Sequence, residues 1–326
     1  MGQTIALRGR TILLLSMTMA FLTACSTPTV SSDDSDENSE KVERTGDSSS
    51  SGIRSDKEAN SSSSSGKKTE SSSSEKTFES SSSSASEVNC AALLEGESEW
   101  RWGVSKECRL NPNIEYGSMT DGRDGQVYKT VKIGKQTWMA ENLNYDPDQG
   151  GAGEAKYDWS WCYNNDPKKC AVTGRLYTWA AAIDSVKLYR DESIDCGDGK
   201  TCSLPEIVHG ICPNGWHLPT DVEWGTLIYE AGSVGDDYNS AAKNLKSRTG
   251  WYNGENGTDA CGFAAFPAGY RNFDGYYNYD GDDTYFLSAT ELGSDHIFGI
   301  GLGYSTSIVY LTYRKNIGFS VRCLKD

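Results

Sequence analysis

Apolar and polar positions in this chain switch between two periods, and the switches mark the predicted elements. From Lys129 the stretch Gln126–Ile133 alternates at the strand period and is rich in β-formers. Gly134-Lys135 suits a two-residue hairpin with glycine first, and Gln136–Met139 returns as its partner strand. Asp121–Gly125 reads as the turn that precedes this pair. Pro213-Asn214-Gly215 is a second turn, and Trp216–Leu218 behind it reads as a short strand entering a core. Thr220-Asp221-Val222-Glu223 then forms a capping-box pattern, and Trp224, Leu227, Ile228 and Ala231 follow on one helical face. Leu176–Ile183 and Ala241–Lys246 are predicted as further helices.

The remaining apolar runs predict strands. Gly262–Arg271 reads as a strand with a bend, and Asn272–Tyr285 as a Tyr/Asp/Gly loop. Leu287–Glu291, Ile297–Ile300, Ile308–Tyr313 and Phe319–Cys323 supply the closing strands. Short strands, two main helices and long loops make residues 120–326 an α+β domain.

Residues 26–88 carry no such pattern. They are serine-dominated with scattered charge and almost no large apolar residue, so they cannot bury a core and are expected to be a disordered linker. A flexible tether of that length has an r.m.s. reach of about 45 Å and a ceiling of about 200 Å. Residues 89–119 read as a short cysteine-stapled transition segment around Glu99-Trp100-Arg101-Trp102.

Residues 1–25 have the organisation of an export signal. Arg8 and Arg10 precede an apolar stretch, Thr11–Phe21, too short to span a bilayer. Leu22-Thr23-Ala24-Cys25 resembles the bacterial lipoprotein lipobox. That resemblance implies acylation at Cys25, and Ser26 behind it, where an aspartate would favour inner-membrane retention, implies a surface-exposed anchor in the outer membrane. The plain alternative is an ordinary signal peptide with an incidental Cys25.

An exported chain with ten cysteines is expected to form disulfides. Proximity suggests Cys90–Cys108, Cys162–Cys170 and Cys196–Cys202 as local staples. Cys212 would then pair with Cys323 and Cys261 would be left over, although spacing alone does not prove connectivity. The net charge of −15 argues against nucleic acid or an anionic membrane surface as partner.

Asp124-Gly125, Tyr128–Gly134, Gln136–Leu143, Gly174–Trp179, Cys212–Pro219, Pro267–Arg271 and Gly318–Cys323 together resemble the Fibrobacter succinogenes major paralogous domain. That family occurs on exported proteins of this fibre-degrading bacterium and of other bacteria. Two positions depart from its pattern: Leu287 stands where tryptophan is usual and Phe266 where leucine is usual. The block Trp216–Thr220 with Glu223-Trp224 is also similar to C-type-lectin-like domains of the formylglycine-generating type. The second resemblance implies a C-type-lectin-like fold and supports the Cys212–Cys323 pair, because such folds bring their ends together.

Candidate chemistry centres on one loop. Sugar sites combine aromatic faces with carboxylates for the hydroxyls, and Tyr276, Tyr277, Tyr279 and Tyr285 stand beside Asp280 and Asp282, with Asp274 and Asp283 nearby. The plain alternative is a soluble, adaptable loop. Asp195 and Asp198 lack the spacing of a calcium loop, and no metal or cofactor is expected. No serine elbow or zinc motif is present, and the late cysteine pair of formylglycine-generating enzymes is missing. His217, in an aromatic segment, reads as a packed core histidine. The expected function is therefore that of a displayed binding protein, an adhesin for plant polysaccharide or an envelope component, rather than an enzyme. A structural envelope protein that binds another protein, and an enzyme of formylglycine-generating-like fold, are the alternatives.

Overall fold

The computed structural model describes residue 25 and residues 89–95, 100–147, 160–235, 237–303 and 308–326, the side chains of residues 309 and 311 excepted. The expected signal peptide before Cys25, the serine-rich linker and residues 157–159 lie outside the described residues. Helices are α1 (Cys90–Leu94), α2 (Pro167–Thr173), α3 (Trp179–Ala182), α4 (Ser185–Glu192), α5 (Asp221–Glu230) and α6 (Asn239–Leu245). Strands are β1 (Gly117–Thr120), β2 (Val127–Ile133), β3 (Gln136–Met139), β4 (Ser160–Trp161), β5 (Leu176–Tyr177) and β6 (Trp216–His217). They continue with β7 (Ala268–Arg271), β8 (Tyr277–Asp280), β9 (Thr284–Glu291), β10 (His296–Leu302), β11 (Ile308–Arg314) and β12 (Leu324–Lys325). Two five-stranded sheets, ordered β1-β2-β3-β12-β6 and β11-β10-β9-β7-β8, make a mixed α+β body, with β4 and β5 as a separate ribbon.

Local chemistry explains the elements that begin and end as expected. The hairpin register Ile133↔Gln136 leaves Gly134-Lys135 as the turn. Gly134 has φ 57°, the left-handed backbone that favours glycine, and a Cβ there would also displace the end of the Glu230 side chain 2.5 Å away. At α5 the Thr220 hydroxyl accepts from the Glu223 amide (3.3 Å), and the Glu223 carboxylate accepts from the Thr220 amide (2.8 Å). Trp224, Leu227, Ile228 and Ala231 are all buried, each large side chain contributing roughly 1.5–3 kcal/mol. Trp224 lies 4.7 Å from Trp138 of the first sheet and donates its indole N–H to the Leu287 carbonyl of the second. One helix thus packs on both sheets.

The segment Phe319–Cys323 joins the sheets instead of forming a ladder of its own. Phe319 exchanges two backbone hydrogen bonds with Tyr177 (2.7 and 2.9 Å). Ser320 bonds to Tyr285 and Leu287, Val321 to Leu143, and Cys323 to Met139. The buried Arg322 donates to Asn142 Oδ1 (2.8 Å) and to the carbonyls of Phe263 and Ala264. Those carbonyls, turned toward the guanidinium, correct the expected strand over Gly262–Arg271: only Ala268–Arg271 pairs regularly, and Ala264 takes φ 48°. Leu176–Tyr177 is likewise a strand rather than the first turn of a helix, because Thr178 caps at Ala181 and α3 starts at Trp179. The expected loop Asn272–Tyr285 contains β8 and the start of β9.

Residues 100–119, read from sequence as a preceding segment, are built into this body. Trp100 packs with Val172, Ala264 and Phe266, and β1 pairs with β2. Leu287 and Phe266, the two departures from the pattern that the sequence resembles, are both buried in the core.

Cys90–Cys108, Cys162–Cys170 and Cys196–Cys202 are disulfides, as proximity suggests, and so is Cys212–Cys323, the pair that the lectin-like resemblance supports. Cys261 is not left over: it pairs with Cys25, whose sulfur also lies 3.7 Å from the Glu230 carbonyl. A sulfur bonded to Cys261 has no valence for a thioether, so this pairing and acylation at Cys25 are alternative states of one atom.

Candidate functional site

The hairpin β7–β8 carries most of the predicted site. Its tip is held by local chemistry: the Asn272 amide donates to the Tyr276 carbonyl (2.8 Å), and Asp274 Oδ1 accepts from the Tyr276 amide (3.1 Å). Gly275 allows the tip its φ of 92°. Three rings stand out from it, Phe273 at 60 %, Tyr276 at 71 % and Tyr279 at 53 % exposure. Tyr279 has φ 62°, which interrupts the alternation of β8, and its ring stacks on Tyr270 at 5.8 Å with 19° between planes. One face of Tyr279 is thereby covered and rigid while the side chain remains open to a ligand.

The other predicted residues support this surface. Tyr277 donates its hydroxyl to Asn165 Oδ1 (2.8 Å) and lies 5.1 Å from Tyr163. Asp280 accepts from the Tyr163 hydroxyl (2.6 Å) and the Trp102 indole (2.9 Å), so it braces the hairpin rather than facing a ligand. Tyr285 packs among Tyr270, Tyr313 and Phe319 and donates to Asp283 (2.8 Å). Burial and that carboxylate raise its phenol well above the ordinary range. Asp282 is partly buried, and burial together with Asp283 and Asp280 raises its pKa. Sequence reasoning missed Trp161, Arg271 and Phe273. The Arg271 guanidinium lies 3.8 Å over Trp161 and 5.9 Å from Tyr277, extending the aromatic surface beyond the tyrosine-rich stretch.

Other carboxylates of the domain sit apart, each engaged with its own partners. Glu141 bonds to Lys106 (2.7 Å) and to the Lys129 amide, whereas Glu223 bonds to His217 (3.0 Å). Asp195 pairs with Lys200 and Asp198 accepts from Asn316 (3.1 Å). Among the described residues no group of three His, Cys, Asp or Glu side chains could hold a metal ion.

His217 is buried, as expected, and it is also bridged between two carboxylates, Glu223 (3.0 Å) and Asp326 (2.8 Å). Burial opposes the imidazolium, but the hydrogen bonds to Glu223 and Asp326 outweigh it and raise the pKa above 6.5. Glu223 is lowered below 4.5: burial opposes its charge, and His217 and Thr220 overcome that. The His217 contribution to stability is complete below 6.5 and is lost as pH rises through the raised folded value. The Glu223 contribution is complete above 4.5 and is lost as pH falls through the lowered one. His217→Gln is therefore expected to cost about 2 kcal/mol between these limits and less once pH has risen through the raised His217 value. Melting curves of both proteins across pH check this, and a deficit that grows with rising pH would contradict it.

A family model described as Fibrobacter succinogenes major domain matches residues 131–325. No curated protein matches the chain, and no solved structure matches it.

Proposed function

The chain belongs to the Fibrobacter succinogenes major domain family, and from that premise we propose that it is a lipid-anchored protein of the outer-membrane surface whose domain binds polysaccharide. Its α+β body is read as C-type-lectin-like, a reading supported by Cys212–Cys323 and by β12, which lies between β3 and β6 and returns the end of the domain to its first sheet. The serine-rich stretch 26–88 is the tether that holds the domain away from the bilayer. In the anchored chain the Cys25 sulfur carries the lipid through a thioether, and Cys261 is a thiol.

One observation carries the binding reading: Phe273, Tyr276 and Tyr279 are exposed on a hairpin whose backbone and supporting rings are already ordered. Tyr279, stacked on Tyr270, can meet a sugar C–H face with little loss of rotamer freedom, and Asp274 and Asp282 nearby suit hydroxyl donors. Tyr276→Ala and Tyr279→Ala are each expected to weaken retention of the full-length oxidised protein on insoluble cellulose or xylan about tenfold. Tyr276→Ala should leave stability within about 0.5 kcal/mol, because its ring is exposed. Retention unchanged in both variants would remove the hairpin from the account. A second reading, docking on another envelope protein, draws on the exposed Val222 and Tyr229 of α5 with Val234 beyond it. Loss of partner capture on changing these three, with polysaccharide retention absent, would favour it.

A further inference from the structure

A cavity of about 670 Å³ opens between α4, the Cys196–Cys202 loop and the turn at Lys315-Asn316. Its volume is that of a small-ligand site. One wall is fixed by Lys315, whose buried ammonium donates to the carbonyls of Lys200 (2.6 Å) and Gly197 (3.3 Å) and to Glu291. The Cys202 amide donates to the same Glu291 carboxylate (3.1 Å), so loop and turn are tied at both ends of the disulfide.

The cations lining the cavity already have counter-charges, Lys315 with Glu291 among them, while the lining carboxylate of Asp198 accepts from the neutral Asn316 amide (3.1 Å). Lys200 pairs with Asp195, and Arg190 with Asp191. Such a mouth keeps its cations engaged and so offers little to an anionic ligand, yet it sets donors and acceptors side by side as neighbouring sugar hydroxyls require. Tyr189 and Val186 add an apolar side, Tyr189 being 64 % exposed. A neutral sugar ring, with one apolar face and a rim of hydroxyls, has matching chemistry.

The segment that lines the cavity continues to the base of the aromatic hairpin. Asn316 lines it, and Gly318, two residues on, exchanges two backbone hydrogen bonds with Arg271 (2.8 and 3.0 Å). Arg271 in turn lies over Trp161. Two residues of chain span at most about 7 Å, so one turn separates the cavity from the hairpin surface. We propose that this cavity is a subsite for the terminal unit of a neutral glycan whose following units run onto the hairpin. The proposal rests on the polysaccharide-binding reading and adds the chain end as the feature recognised.

Calorimetric titration of the full-length oxidised protein with cellohexaose and xylohexaose tests it. Val186→Trp puts a bulky ring into the cavity and obstructs its apolar side, and Tyr189→Ala removes an exposed ring at its edge without touching the core. At least one hexasaccharide should bind, and each variant should weaken it about tenfold or more. If Val186→Trp impairs folding, Tyr189→Ala decides alone. Hexasaccharide affinity unchanged by these variants overturns the subsite, and if Tyr276→Ala still weakens it the hairpin reading stands. Affinity lost in Val186→Trp and Tyr189→Ala but unchanged in Tyr276→Ala and Tyr279→Ala leaves the cavity as a site and removes the hairpin. Retention on polymer without hexasaccharide binding overturns the subsite alone.

Discussion

Replacing Arg322 with methionine is expected to lower stability by about 3–5 kcal/mol, enough to move the melting temperature by roughly 10 °C. Arg322 is fully buried, and its guanidinium satisfies Asn142 and the carbonyls of Phe263 and Ala264 while lying 4.2 Å over the Phe263 ring. Methionine fills much of the volume but leaves three buried acceptors unpaired, and each such group costs about 1–3 kcal/mol. Asp259 also loses its nearby cation. Burial already raises its pKa to about 7, and Arg322 is one of the groups that pull it back down. Denaturant unfolding of both proteins measures the difference. A loss below about 1 kcal/mol would mean that the segment is held by its backbone bonds alone.

The second large effect concerns Cys212–Cys323. Changing both cysteines to alanine is expected to cost about 4–5 kcal/mol, because the bond spans 111 residues and the entropy it removes from the unfolded chain grows with loop length. The same change at Cys196–Cys202, with a separation of 6, is expected to cost only about 2 kcal/mol. The ratio is the informative quantity. Equal losses at the two sites would show that native-state strain or residual unfolded structure, rather than loop length, sets the contribution of these bonds.

What was legible in the sequence was chemistry that acts over a few residues. The capping box at Thr220 and Glu223, the turn at Gly134-Lys135 and the short disulfide loops each have both partners close in sequence. Elements decided by distant partners were misread. Gly262–Pro267 has the composition of a strand, but Arg322, nearly sixty residues away, takes two of its carbonyls. Leu176–Tyr177 has helix-compatible neighbours, yet Trp161 and Phe319 offer ladder partners on both sides.

The candidate site divides the same way. Tyr276 and Tyr279 stand out because the stretch is rich in tyrosine and glycine, and both are exposed in the structure. Asp280 and Tyr285 looked equivalent to them by composition. Trp102 and Tyr163, 178 and 117 residues away, claim the carboxylate of Asp280, and Phe319 packs on the ring of Tyr285. Arg271 and Trp161 were invisible as a pair for the same reason, since only the fold stacks one on the other.

The central claim is that a preordered aromatic hairpin binds polysaccharide. Its most direct test is an adsorption isotherm of the full-length oxidised protein on insoluble cellulose and on xylan at fixed ionic strength. The account predicts uptake on at least one polymer that saturates and that soluble oligosaccharide of the same type competes away. Uptake that rises linearly without saturation, or none on either polymer, would contradict it.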